Sequence, residues 1–113
     1  MHVLFLSVVA WVTVHELDAV HRAEWRFFFA PFAVGDETAY RVYTALHVPA
    51  FVLVFWYLPS TTFRVSFDAF VIVHGVLHLL LRDRPGLDFE NWFSGLWIYG
   101  AALLGAVHLL TVV

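Results

Sequence analysis

The sequence predicts an all-α integral membrane protein, an antiparallel bundle of four transmembrane helices. Three observations predict it. Hydrophobic residues make up 62% of the 113 residues and charged residues 13%, against roughly 45–50% and about 25% in an ordinary soluble domain. A soluble domain this small buries too little of its surface to hide that apolar content, whereas a bilayer accepts it. The apolar residues fall into four runs, each near the length of about 20 residues that a span requires. The loops between them are short, which makes successive helices antiparallel neighbours, and residues 1–113 form a single transmembrane domain.

The first helix is expected over 3–29, stopping before Pro31 because proline cannot continue a helix from within. Met1-His2-Val3 offers no positively charged start and no small-residue cleavage site follows, so this run is expected to be a retained span rather than a leader. The second helix is expected over 39–58, ending before Pro59, and the third over 63–81. The fourth is expected over 89–113, with Asp88 as N-cap after the Pro85-Gly86 turn. Gly95, Gly100, Ala101, Ala102, Gly105 and Ala106 mark this fourth helix as one that neighbours approach closely. It is also the expected face of any homo-oligomer.

Arginine sets the expected orientation in the membrane. Arg22, Arg26 and Arg41 flank the first loop, Arg82 and Arg84 lie in the third, and Arg64 alone is near the second. The first and third loops are therefore expected in the cytoplasm and both termini outside. The absence of cysteine excludes disulfides, thiolate metal sites and thiol catalysis. A net charge of −3 without a basic patch gives no reason to expect a nucleic-acid partner.

Function is legible only at the polar residues inside the apolar runs. Ionisable groups at membrane depth are costly and usually face the bundle interior. His15 and Asp18 lie near the end of the first helix, His47 near the start of the second, His74 and His78 near the end of the third, and Glu90 at the start of the fourth. At 1.5 Å per residue these groups fall within about 10 Å of one level. His74 and His78 share a helix face at i, i+4, as do His15 and Asp18 at i, i+3. Inward histidines and carboxylates at such spacing resemble the metal sites of helical bundles. His15, Asp18, His47, His74, His78 and Glu90 are the expected ligands, zinc or iron the expected metal, and Glu16 the candidate base.

Each residue also has a plainer role. The histidines can be hydrogen-bonded core residues, and His15 with Asp18 a pair that only locks helices. Glu90 can serve the helix dipole. His21 and Glu24, beside Arg22 and Arg26, read as a solvated salt-bridge group. His108 and His2 sit toward the opposite membrane face, where His108 has no expected partner, and Asp68 reads as an interfacial charge. Tryptophans and tyrosines suit interfacial belts or packing. No His-Glu-x-x-His run, glycine-rich phosphate loop or nucleophile elbow is present.

The run His15-Glu16-Leu17-Asp18-Ala19, followed by Glu24-Trp25-Arg26, resembles a family of small bacterial and archaeal membrane proteins of unknown function with about four helices. The resemblance covers essentially the whole chain. It implies that the first-helix motif is the family hallmark and brings no activity with it. Three functions follow from the residues. The first is a membrane metalloprotein, acting on a lipid-soluble substrate if it is an enzyme. The second is a b-type haem carrier using His47 with His74 or His78 as axial ligands. The third is a non-enzymatic proton or ion path, or an accessory subunit.

Overall fold

The computed structural model describes residues 3–113; His2 lies outside the described residues. Five helices follow in order: α1 (Val3–His21), α2 (Trp25–Phe29), α3 (Asp36–Tyr57), α4 (Thr61–Leu80) and α5 (Trp92–Val112). Four of them, α1, α3, α4 and α5, are long and apolar enough to cross a membrane. Their lengths of 19, 22, 20 and 21 residues correspond to roughly 30 Å of helix each, the thickness of the hydrocarbon core. The fold is all-helical among the described residues, and the chain is a multi-pass membrane protein.

The buried positions follow the helical period. In α5 they are Ser94, Ile98, Ala101, Gly105 and His108, a 3–4 stripe that defines one inward face. In α4 they are Asp68, Val71, Gly75 and His78, and in α1 Phe5, Val8, His15, Asp18 and Ala19. These three stripes meet, with Val8, Val71 and Ala101 as the apolar midsection. Small residues in α4 and α5 permit the approach. A Cβ at Gly75 would stand 2.9 Å from Ala102 Cβ, and one at Gly105 would run into the Val71 side chain. The indole of Trp11 lies over Gly100 and donates from Nε1 to the Leu96 carbonyl at 2.9 Å, tying α1 to α5. Gly100 and Gly105 thus serve packing within the chain.

The helix α3 stands apart. Ala39 is its one buried residue, and Pro49 lies inside it, where a ring replaces an N–H of the helical ladder. The bundle is therefore a three-helix core with a fourth span leaning on it. Arg64 closes the tight turn after α3 by donating to the carbonyls of Leu58 at 3.2 Å and Pro59 at 2.9 Å.

α3 and α4 begin a few residues earlier than expected, at Asp36 and Thr61, and two further boundaries differ in ways that bear on the site. The first helix ends at His21 rather than running to Phe29, because Ala23 takes a left-handed backbone with φ of 57°. That conformation costs an L-residue roughly 1–2 kcal/mol and turns the chain inward at Glu24. The last helix begins at Trp92, and its cap is Asn91, whose Oδ1 accepts from Ser94 N at 2.8 Å. Asp88 instead lies 3.4 Å from Arg22 Nη1.

Candidate metal centre

His15 leaves α1 nearly two turns before its end at His21, and His74 and His78 leave successive turns of α4. Their rings form a triangle, with centroids 4.7 Å apart for His15 and His74, 5.3 Å for His15 and His78, and 4.6 Å for His74 and His78. Glu24 enters from the turn created by Ala23. Its Oε2 lies 3.9 Å from His15 Nε2 and its Oε1 3.5 Å from His78 Nε2. Each of the four residues offers one ligand atom, and these atoms lie within 4.8 Å of one another. The group is able to hold a metal ion.

Burial sharpens the point. His15 is 1% exposed and Glu24 4%. Neither ring nitrogen of His15 has a hydrogen-bond partner among the described residues. A buried polar group left unpaired costs about 1–3 kcal/mol, and a buried carboxylate without a strong partner costs more. Phe89 closes the cluster on the loop side, 5.0 Å from the His78 ring and 5.8 Å from that of His15. A positive ion among three imidazoles and a carboxylate would give one His15 nitrogen a partner and the buried carboxylate a counter-charge.

The remaining expected ligands lie elsewhere. Asp18 accepts from Ser94 Oγ at 2.6 Å and faces Arg22 Nε at 3.7 Å, which pins the start of α5 against α1. His47 Nε2 is 2.6 Å from Glu16 Oε2, and its Nδ1 faces the Tyr43 carbonyl at 2.8 Å. Glu90 has a side chain 60% exposed, 3.9 Å from Arg82. Glu16, the candidate base, adjoins the cluster, with Oε1 4.0 Å from His15 Nε2. Of the six groups that counting along the chain brought to one level, His15, His74 and His78 thus meet in the cluster, joined there by Glu24, while Asp18 and His47 are hydrogen-bonded elsewhere and Glu90 lies in an exposed ion pair.

Glu24 is the member that sequence reasoning placed in solvent. On a continuous helix it stands nine residues beyond His15, about 180° around the axis, and so points away. Only the break at Ala23 brings it in, and alanine carries no signal for that conformation. His108 also departs from expectation. It has a partner at its level: its Nδ1 lies 2.6 Å from Asp68 Oδ2, and both residues are fully buried.

Residues 1–113 match the model of a family of unknown function, DUF6713. The chain belongs to that family. The match spans every residue that contributes to the cluster, so the site lies within the family domain. No curated protein and no solved structure matches the chain.

Proposed function

We propose that the protein is a membrane metalloprotein in which His15, Glu24, His74 and His78 bind one zinc or ferrous ion. The observation that carries this reading is the pair of unpartnered ring nitrogens on a fully buried His15, facing a buried carboxylate and two further imidazoles. Three nitrogens and one oxygen form a donor set suited to either metal. Ligands about 2.0–2.1 Å from a tetrahedral ion stand roughly 3.4 Å from one another. The 3.5 and 3.9 Å separations at Glu24 are close to that value and too long for hydrogen bonds.

In a catalytic role the metal would act as a Lewis acid on a lipid-soluble substrate, with Glu16 as the general base beside His15. The five arginines around the first and third loops support a cytoplasmic position for this end of the bundle. Haem fits less well. The three imidazoles pack ring against ring, which leaves no slot for a macrocycle, and His47 is engaged with Glu16. A proton path through the bundle is opposed by the apolar layer of Val8, Val71 and Ala101.

The test is to purify the untagged protein in mild detergent and measure metals by plasma mass spectrometry, with an absorption spectrum, for wild type and His74→Ala. The expected result is about one equivalent of zinc or iron in wild type and almost none in the variant. A Soret band would move the case to haem. A metal-free, colourless wild type that stays so after incubation with zinc and ferrous iron would sink both cofactor readings.

A further inference from the structure

Between α1, α3 and α4 lies a cavity of about 310 Å³. Its walls are apolar, with Val12, Phe51, Val54, Phe67 and Phe70 among them. Thr13 also lines it but donates to its own helix, at the Val9 carbonyl. Polar chemistry is concentrated at Glu16 and His47. The cavity exists because α3 leans on the core rather than packing into it, and it is not fully enclosed. Its size is at the lower end of the range of about 300–1,000 Å³ typical of small-molecule sites.

Hydrogen bonding at the polar end can be followed atom by atom. His47 Nδ1 faces the Tyr43 carbonyl at 2.8 Å, and Nε2 faces Glu16 Oε2 at 2.6 Å. The Tyr43 hydroxyl donates to the same Oε2 at 3.4 Å. Both histidine nitrogens and Glu16 Oε2 are therefore occupied. Glu16 Oε1 receives no hydrogen bond from any described residue, and His15 Nε2 stands 4.0 Å from it. Glu16 lines the polar end of the apolar cavity, and its uncommitted oxygen is an acceptor.

We propose that this cavity binds a single-chain lipid with a hydroxyl head group, a long-chain alcohol, whose O–H donates to Glu16 Oε1 while the chain lies along the apolar walls. A carboxylate head would face the Glu16 carboxylate and be repelled. An alkane would leave the acceptor unpaired in an apolar site. A cavity of this size suits one chain better than two. The proposal names a substrate class for the metal-centre reading and rests on it for any chemistry, since Glu16 adjoins His15; binding is measured independently of metal.

The experiment uses the full chain in phosphatidylcholine nanodiscs, labelled with a diazirine-bearing dodecanol. Labelled peptides are mapped by mass spectrometry, and metal content is measured on the same samples. Labelling is expected on α3 and α4 at the cavity walls, and dodecanol should compete about tenfold better than dodecane or dodecanoate, a difference of about 1.4 kcal/mol. Ala50→Trp, which fills the cavity from α3, should reduce labelling by about tenfold with metal content unchanged. Glu16→Leu should bring dodecanol and dodecane to near equality. Val54→Phe narrows the same cavity and decides the matter if the tryptophan variant does not fold. Equal competition by dodecane in wild type, or undiminished labelling of the filled variants, overturns the proposal. Labelling as expected in a wild type that holds no metal, even after incubation with zinc and ferrous iron, overturns the metal reading alone.

Discussion

The bundle buries two sets of histidines and carboxylates, one toward each membrane face, and they are built differently. Toward the face of the second loop, His108 and Asp68 meet directly at 2.6 Å. Toward the face of the first and third loops, His15, His74, His78 and Glu24 approach one another without closing a hydrogen bond, at 3.5 and 3.9 Å where Glu24 meets two of the imidazoles. Residue types are alike, and so is burial apart from the half-buried His74; spacing is not. At 2.6 Å two groups share a proton and leave no room for an ion between them. At about 3.4 Å two groups can share a metal. The comparison teaches that separation, rather than the presence of buried histidines, distinguishes a helix lock from a candidate ligand site. By the same measure Glu16 and His47, at 2.6 Å, belong with the lock.

The largest expected effect breaks that lock. Asp68→Leu leaves His108 buried beside an apolar group, and removing one partner of a buried pair costs about 3–5 kcal/mol. Thermal unfolding in detergent should show this loss while metal content stays at the wild-type level. The double change Asp68→Leu with His108→Leu should recover most of the stability. A fall in metal content in either variant would mean that the two sets are not independent.

The next test turns on a sign. His15→Phe removes two unpartnered buried nitrogens, so without metal it should be neutral or slightly stabilising. With metal it removes a ligand, and the stabilisation from an ion at a hundred times its dissociation constant, about 2.7 kcal/mol, is lost. The variant should therefore be less stable than wild type in zinc and no less stable in chelator. Equal stability in both conditions would refute the site.

Asp18 offers a smaller and more specific contrast. Its bond to Ser94 Oγ joins α1 to the start of α5. Ser94→Ala should cost about 1.5–3 kcal/mol, the range for a hydrogen bond to a charged group. Asp18→Asn should keep about one equivalent of metal. Metal loss in Asp18→Asn would return Asp18 to the ligand set.

The smallest effect sits at Ala23. Ala23→Gly relieves the left-handed backbone and should stabilise by about 1 kcal/mol. Ala23→Val should destabilise by more than that, and it should weaken metal binding if the turn positions Glu24. Unchanged metal affinity in Ala23→Val would separate the turn from the site.

Much of this was legible in the sequence. The four spans followed from composition and run length, because hydrocarbon demands about 20 apolar residues per crossing. The depth of His15, His74 and His78 followed from counting, because rise per residue is fixed. The facing of His74 and His78 followed from their i, i+4 spacing. Glu24 was not legible, since one backbone angle at Ala23 reverses its direction. Nor was the pairing of His108 with Asp68, whose residues are forty apart in the chain and meet only through the packing of α4 on α5.

Sequence alone therefore determined the solvent, the number of spans and the level at which polar groups lie, all one-dimensional quantities set by helix geometry and the cost of polarity in lipid. Tertiary structure alone decided which groups at a level meet. That depends on the rotation of each helix about its axis, set here by Gly75 and Gly105 against their neighbours. It depends too on the single left-handed residue that folds Glu24 beneath the histidines.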